Sequence, residues 1–203
     1  MFDEENSWQD IIYIVALSSA LVAISFWLQG DIGLNLADEG YLWYGALRTL
    51  EGDVPIRDFR SYDPGRYYWV AGGSFLFGKG ILGVRESVAI FQFIGLFFGL
   101  LATTRIVKSR IILILVGVLL VIWMFPRFKL FETSITMIGV YVACQLIEHP
   151  SKKRLLIAGI FCGLAAFLGR NHGLYNFLAF TSLLLFSVFT KSSSSTISTI
   201  SFI

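Results

Sequence analysis

Six apolar runs, each close to the length that crosses a bilayer, constrain the fold more than any other feature of this sequence. A transmembrane helix needs about 20 mainly apolar residues, with a usual range of roughly 17–25. Composition agrees, since 56% of the 203 residues are hydrophobic and the mean hydropathy is +0.72, which is typical of membrane proteins. We therefore expect an all-α polytopic membrane protein with about six spans, at Ile11–Leu28, Ser87–Thr104, Ile111–Pro126, Phe131–Ile147, Leu155–Leu168 and Leu174–Thr190.

The apolar segment YYWVAGGSFLFG, residues 67–78, is too short and too rich in glycine for a seventh span. Its first aromatic residues favour the headgroup region of a bilayer. We expect a juxtamembrane or shallow re-entrant helix. The amino terminus has four acids and no Lys or Arg, and no small-residue cleavage site follows it, so an uncleaved first span is expected instead of a removed signal peptide.

Charge in the loops sets the expected orientation. With six spans, the basic loops at residues 105–110 and 149–154 share one side with Lys191, which the positive-inside rule makes cytoplasmic. The long loop at residues 29–86, the FPRFKLFE loop at 125–132 and the GRNHG loop at 169–173 then lie on the outer face. Most of the unusual polar residues are in these three loops.

The long loop begins with LADEGYLWYG, in which Asp38 and Glu39 precede an amphipathic helix predicted over residues 37–52. Acids at a helix start commonly offset the helix dipole or cap free N–H groups. A carboxylate in a partly dry, aromatic cleft can also act as a general base. The sequence alone leaves both interpretations of Asp38 and Glu39 open.

Basic residues are unusually frequent in the three outer loops. Any one of them can be an interface anchor whose charge reaches toward the headgroups. As a group they predict a cationic rim suited to a lipid phosphate, because guanidinium groups bind phosphate in a bidentate manner. His172 has no ligand partner at metal spacing, so it is expected to form a hydrogen bond or contact a phosphate. The residues concerned are Arg57, Arg60, Arg66, Arg127, Lys129, Arg170 and His172.

Several kinds of chemistry have no support in the sequence. There is no Walker loop, HExxH, GxSxG or Cys/His cluster, and Cys144 and Cys162 lie apart in apolar runs. The net charge of +2 says little about partners, because what matters in a membrane protein is where the basic residues lie along the chain. No nucleic-acid partner is expected. We expect no metal and no cofactor. Glu132 is expected to pair with Lys129 or Arg127, with a place in the acidic cleft as the alternative.

The order ADEGYLWYGALRTLEGDVPIRDFRSYDPGRYYWVAGGSFLFG, followed by a span, a basic loop, a span ending in FPRF and later GLAAFLGRNHGLY, resembles the amino-terminal part of GT-C membrane glycosyltransferases. The nearest group is that of the protein O-mannosyltransferases and lipid A aminoarabinose transferases. Members carry an acidic motif in the first outer loop, where this chain has Asp38 and Glu39. The resemblance implies a membrane module at residues 1–191 and a Ser/Thr-rich tail at 192–203.

The resemblance also implies a reaction. A sugar would pass from a polyprenyl-phosphate donor to a hydroxyl of a lipid, glycan or protein acceptor at the outer membrane face. Asp38 would be the catalytic base and Glu39 would support it or hold the acceptor. The departing phosphate would be bound by Arg57, Arg60, Arg66, Lys129 and Arg170, with His172 beside it.

Members of that family are more than twice as long, so the resemblance implies that this chain is a fragment, a degenerate copy or one half of a two-chain enzyme. A partner chain would then supply the remaining spans or an outer domain. The alternative function is a non-catalytic protein that binds the lipid carrier, or a flippase-like transporter, with the same cationic rim. A transporter should carry polar residues within its spans, and only scattered Ser, Thr, Gln and Gly occur there.

Overall fold

The computed structural model describes residues 8–126 and 129–200, with the backbone alone for 190–200. These residues form helices, and β pairing among them is limited to one isolated bridge between Pro55 and Phe59. The all-α fold class is therefore confirmed. The elements are α1 (Trp8–Gln29), a π-helical turn (Leu36–Gly40), α2 (Tyr41–Leu50), α3 (Pro64–Phe77), α4 (Ile81–Thr103), α5 (Arg110–Trp123), α6 (Leu130–Glu148), α7 (Lys152–Leu168) and α8 (Arg170–Ile200).

Four helices are long and apolar enough to cross a membrane by length and composition: α1, α4, α6 and α8 over Arg170–Phe189. Each of the six expected spans coincides with a helix, but α5 has 14 residues and α7 has 17. A helix of 14 residues rises only about 21 Å, against a hydrocarbon core about 30 Å thick. The described residues thus contain four candidate spans, and the count of six is not confirmed.

The outer surface of the helices is apolar, as expected for side chains that face lipid. Trp8 and Trp27 are 81% and 79% exposed, near the two ends of α1. The rise between them is about 28 Å, which is close to the thickness of a bilayer core, at whose borders tryptophan is enriched.

Helix α4 is the centre of the bundle, and α1, α3, α5 and α6 all pack against it. Glycines bring α6 close, since a Cβ at Gly95 would overlap Ser134 and a Cβ at Gly99 would reach the Met137 sulfur at 2.7 Å. Small residues at helix contacts are how membrane helices gain van der Waals packing where lipid leaves no hydrophobic driving force. The α4–α6 contact therefore holds the bundle together.

Both predictions for the long loop correspond to helices. The helix expected over 37–52 is present as the π-helical turn and α2, and Gly52 follows it with φ of 99°. The segment at 67–78 lies largely within α3, a helix of 14 residues that is not among the four candidate spans. The indole N–H of Trp43 donates to the Lys79 carbonyl, and that of Trp69 donates to the Ser87 carbonyl. These bonds fix α2 and α3 on the start of α4.

At the opposite end of the bundle, Arg105 pairs with Glu148 and lies 5.3 Å over the Tyr141 ring. This pair joins the end of α4 to the end of α6. In α8, helical backbone continues through residues 192–200 of the Ser/Thr-rich tail.

Candidate functional site

A cavity of about 280 Å³ lies beneath the π-helical turn and α2. Its walls come from α1, α3, α4 and the neighbouring ends of α5 and α6. Polar side chains cluster toward the turn, and apolar ones line the part within the bundle. The polar lining consists of Ser25, Gln29, Asp38, Glu39, Tyr41, Tyr62, Asp63, Arg66, Tyr67, Arg85 and Gln92.

Asn35 shapes the acidic motif. Its side-chain oxygen accepts hydrogen bonds from the N–H groups of Ala37 and Asp38, at 3.1 and 3.2 Å. Glu39 Oε2 accepts in return from the Asn35 N–H at 3.1 Å. This reciprocal arrangement resembles a capping box, with the glutamate four residues after the cap instead of three. The cap is therefore Asn35, and Asp38 is not needed for that role.

Asp38 is exposed and lines the cavity. Among the described residues, its carboxylate accepts one hydrogen bond, from Asn35 Nδ2 at 3.0 Å. A carboxylate has room for about four hydrogen bonds. Asp38 can therefore accept a proton or a hydroxyl hydrogen bond from a molecule in the cavity.

Glu39 is placed very differently. Its two oxygens accept from Nε and Nη2 of Arg85 at 3.1 and 3.2 Å, and the two residues are 5% and 6% exposed. Arg85 Nη1 also donates to the Gly30 carbonyl at 2.7 Å, and Nη2 donates to that of Gly33. Glu39 thus fixes the turn to α4 and to the end of α1, which suits a positioning residue better than a proton acceptor.

Arg66 joins three elements. Its Nε donates to the Leu168 carbonyl at 2.7 Å, Nη1 donates to Glu132 Oε1 at 2.9 Å, and Nη2 pairs with Asp63 Oδ2 at 2.9 Å. Three of the five guanidinium N–H groups are used in this way. Because Arg66 also lines the cavity, its remaining donors can face a ligand. Glu132 pairs with Arg66 here, while Arg127 lies outside the described residues.

The GRNHG loop lies beside this cluster. The Arg170 N–H donates to Asp63 Oδ1 at 2.9 Å, and a Cβ at Gly169 would lie 3.4 Å from Arg66 Nη2. His172 Nδ1 is 3.5 Å from the Thr136 hydroxyl. The first and last of the three expected outer loops therefore meet, although the side chains of Arg170 and His172 do not line the cavity.

The other predicted basic residues lie outside the cavity lining. Arg57 and Lys129 are exposed, and the exposed Arg60 donates to the Tyr62 hydroxyl at 2.9 Å. Arg57 pairs with Asp58 at 2.7 Å. Hydrogen bonds from Arg57 and then from the Val54 N–H lower the pKa of Asp58 to about 2. These three cations are exposed and do not contribute to the cavity wall.

Aromatic rings support the turn from one side. Phe59 and Tyr67 meet edge to face with ring centroids 5.3 Å apart, and Tyr41 also packs against Tyr67. Gly45 makes room, since a Cβ there would overlap the Tyr67 ring. Burial, with a smaller contribution from Tyr41, raises the pKa of Tyr67 to about 12. Its phenol therefore stays protonated at neutral pH and can donate to a ligand.

The lining also holds four polar residues that the sequence does not single out, namely Arg85, Asp63, Gln92 and Tyr62. A lone Arg at the head of an apolar span, as in GVRES, is the signal that could have found Arg85. Within the described residues, no three His, Cys, Asp or Glu side chains come together as a metal site.

Comparison of the chain with protein-family models, with curated proteins and with solved structures gives no match.

Proposed function

We propose that this chain is a membrane glycosyltransferase module, in which a sugar passes from a polyprenyl-phosphate donor to an acceptor hydroxyl. The observation that carries the proposal is the position of Asp38. Its carboxylate faces a cavity whose lining also holds the guanidinium groups of Arg66 and Arg85 and whose inner part is apolar. Such a site suits a ligand with an anionic headgroup and a hydrocarbon tail, beside a base that reaches water.

The proposed chemistry uses the residues as follows. Asp38 takes the proton of the acceptor hydroxyl as its oxygen forms a bond to the anomeric carbon of the sugar. The bond from that carbon to the phosphate oxygen breaks, and polyprenyl phosphate leaves with the negative charge. Donors fixed near the developing charge stabilise it, and Arg66 is the best placed residue for this. Attack from the face opposite the phosphate inverts the anomeric centre.

The roles of the other predicted residues follow from their places. Glu39 acts through Arg85 to hold the acidic turn, and therefore positions Asp38. Arg57, Arg60 and Lys129 attract an anionic donor to the rim, where exposed charges steer ligands over roughly a Debye length. Arg170 and His172 extend the rim from α8.

We further propose that α5 and α7 also cross, giving six spans, in a cell membrane with the cavity on the extracytoplasmic side. Flanking residues complete the two shorter helices, and α8 ends the module. Support comes from the basic loops at 105–110 and 149–154, which follow the ends of α4 and α6 away from the cavity. The positive-inside rule places such loops in the cytoplasm.

The test is a transfer assay in membranes loaded with radiolabelled polyprenyl-phosphate sugars and an extract of lipid, glycan and protein acceptors. Loss of a general base costs about 10²–10⁴-fold in rate, so Asp38→Asn should lower transfer by at least about 100-fold. Asp31→Asn is the matched control, because Asp31 is an exposed acid of the same loop outside the cavity lining. Equal transfer by wild type and Asp38→Asn would refute the assignment.

A second candidate is a non-catalytic protein that binds the lipid carrier. It is favoured by the contacts of Arg66, since three of its five N–H groups already donate to two carboxylates and a carbonyl. Donor binding by the wild type, with no transfer to any acceptor fraction, would support this candidate over the transferase.

A further inference from the structure

The turn between α6 and α7, at the end of the bundle away from the cavity, carries three consecutive cations. Lys152, Lys153 and Arg154 are the first residues of α7, and both lysines are exposed. Within the part of the chain that the structure describes, none of the three forms an ion pair. These three residues form the α7 cation cluster, a patch of like charge on the surface.

The acids at this end of the bundle belong to other contacts. Glu148 lies four residues before Lys152 in the sequence, but its carboxylate pairs with Arg105. Asp10 lies on α1, which packs mainly against α4 and α5, whereas α7 packs mainly against α3, α6 and α8. No carboxylate of the described residues therefore neutralises the cluster.

The turn itself is held in place by hydrogen bonds. The Ser151 hydroxyl accepts from the Arg154 N–H at 3.3 Å, and Arg154 Nη1 donates to the His149 carbonyl at 2.7 Å. Neither bond uses an ammonium group. Both lysine charges are therefore available at the surface of an ordered turn.

The cluster also lies at an unfavourable place on its helix. The start of a helix is the positive end of the helix dipole, where acids are stabilising and cations are not. The first turn of α7 contains no acid. An anion from outside the chain would offset both the mutual repulsion of the three cations and their repulsion by the dipole.

Apolar surface begins directly after the cluster and indicates the kind of anion. Leu155, Leu156 and Ile157 are 44%, 65% and 46% exposed, and they lie within one helical turn of Arg154. A soluble polyanion would cover the charges and leave this apolar surface in water. An anionic phospholipid carries its phosphate above hydrocarbon chains, which matches the order of charged and apolar residues along α7.

We propose that the α7 cation cluster binds the headgroup of an anionic phospholipid. The ammonium groups of Lys152 and Lys153 contact the phosphate, while their methylene stems lie along the lipid chains. The acyl chains cover the exposed side chains that follow in α7. A zwitterionic phospholipid has no net charge to offset three cations, so it binds more weakly. This site stands whether or not the chain transfers a sugar.

The test compares two phospholipids that differ in charge. The probes are phosphatidylglycerol, which is anionic, and phosphatidylcholine, which is zwitterionic, with the same acyl chains. Titration of the purified chain in detergent, followed by native mass spectrometry, gives the affinity for each. One cation near a lipid surface contributes a factor of about five in affinity. The wild type should prefer phosphatidylglycerol by at least about fivefold, and less so as the ammonium acetate concentration rises.

Variants of the cluster assign the preference to single charges. Lys152→Gln and Lys153→Gln should each lower the affinity for phosphatidylglycerol about fivefold and leave that for phosphatidylcholine unchanged. Lys152→Arg keeps the charge and should keep the affinity. Lys79→Gln is the matched control, because Lys79 is an exposed lysine just before α4, at the other end of the bundle. It should change neither affinity.

Four results would overturn the proposal. The first is equal affinity of the wild type for the two lipids. The second is an equal loss for both lipids in Lys152→Gln, which would report a change of packing. The third is a larger loss of the preference in Lys108→Gln, because Lys108 is an exposed lysine of the other basic loop. The fourth is displacement of phosphatidylglycerol by an equal concentration of glycerophosphoglycerol, its headgroup without chains, which would show a site for a soluble anion.

Discussion

Glu39 and Arg85 form a bidentate ion pair, with oxygen to nitrogen distances of 3.1 and 3.2 Å, across 46 positions of sequence. Because both residues are almost fully buried, the pair links the acidic turn rigidly to α4. Asn35 continues the link, since it donates its N–H to Glu39 and its amide to Asp38. The carboxylate of Asp38, which is assigned as the base, is therefore held in its orientation by Arg85 of α4, through Glu39 and Asn35.

Breaking this pair from one side should destabilise the fold strongly. Glu39→Gln leaves the Arg85 charge buried and uncompensated, which costs about 3–5 kcal/mol. Thermal unfolding in detergent measures the loss. The double variant Glu39→Leu with Arg85→Met should recover much of it, because apolar residues can replace a buried pair. Glu51→Gln is the control and should change the unfolding temperature little, because Glu51 is an exposed acid at the end of α2. A Glu39→Gln protein as stable as wild type would show that the pair is not formed.

The contact between α4 and α6 should be sensitive to a single methyl group. Gly95→Ala places a Cβ against the Ser134 side chain and backbone, and overpacking of this kind costs about 1–3 kcal/mol. Gly163→Ala is the control, since nothing lies within 4 Å of a Cβ at that position of α7. Chemical unfolding in mixed micelles compares the two, and equal stabilities would contradict the close approach of α4 and α6.

Arg66 should not be replaceable by lysine. The planar guanidinium holds Asp63, Glu132 and the Leu168 carbonyl together, whereas an ammonium is a single point donor. Arg66→Lys should weaken donor binding and lower the unfolding temperature, while Arg60→Lys on the exposed rim should leave the unfolding temperature unchanged. Full donor affinity in Arg66→Lys would show that the three-way contact is not needed.

The loop before α3 should show a pH response governed by Asp58. Its folded pKa of about 2 lies below the ordinary value of 3.8, so the charged form is favoured in the folded loop. The contact is present above the ordinary pKa and is lost as pH falls through about 2. Carbon-13 NMR of labelled aspartate measures this pKa. Arg57→Ala should raise it toward the ordinary value, and an unchanged pKa in that variant would contradict the Arg57–Asp58 hydrogen bonds.

Local patterns in the sequence predict the helices well. Apolar runs locate each long helix. The aromatic segment at 67–78 is separated from the candidate spans because its glycines and its short length can be read directly from the sequence. The count of six spans is not confirmed at α5 and α7, because a run of apolar residues does not reveal where the helix ends. Arg110–Trp123 stops three residues before the predicted end at Pro126.

The site is harder to predict because its contacts are distant in sequence. Asp38 and Arg66 were named from the loop and do line the cavity. Nothing in the sequence shows that Glu39 pairs with Arg85, or that Glu132 pairs with Arg66 instead of its neighbour Lys129. Nor can composition distinguish Arg66 in the wall from Arg57 on the rim, since all the arginines of the loop have the same chemistry.

The central claim is that the cavity with Asp38 opens on the extracytoplasmic surface, where a lipid-borne donor meets its acceptor. In a chain with Cys144 and Cys162 replaced by alanine, single cysteines at Glu51 and Ser151 report the two ends of the bundle. An impermeant thiol reagent applied to intact cells should label Glu51→Cys, and should label Ser151→Cys only after the membrane is opened. Labelling of Ser151→Cys but not Glu51→Cys in intact cells, or of both equally, would contradict the account.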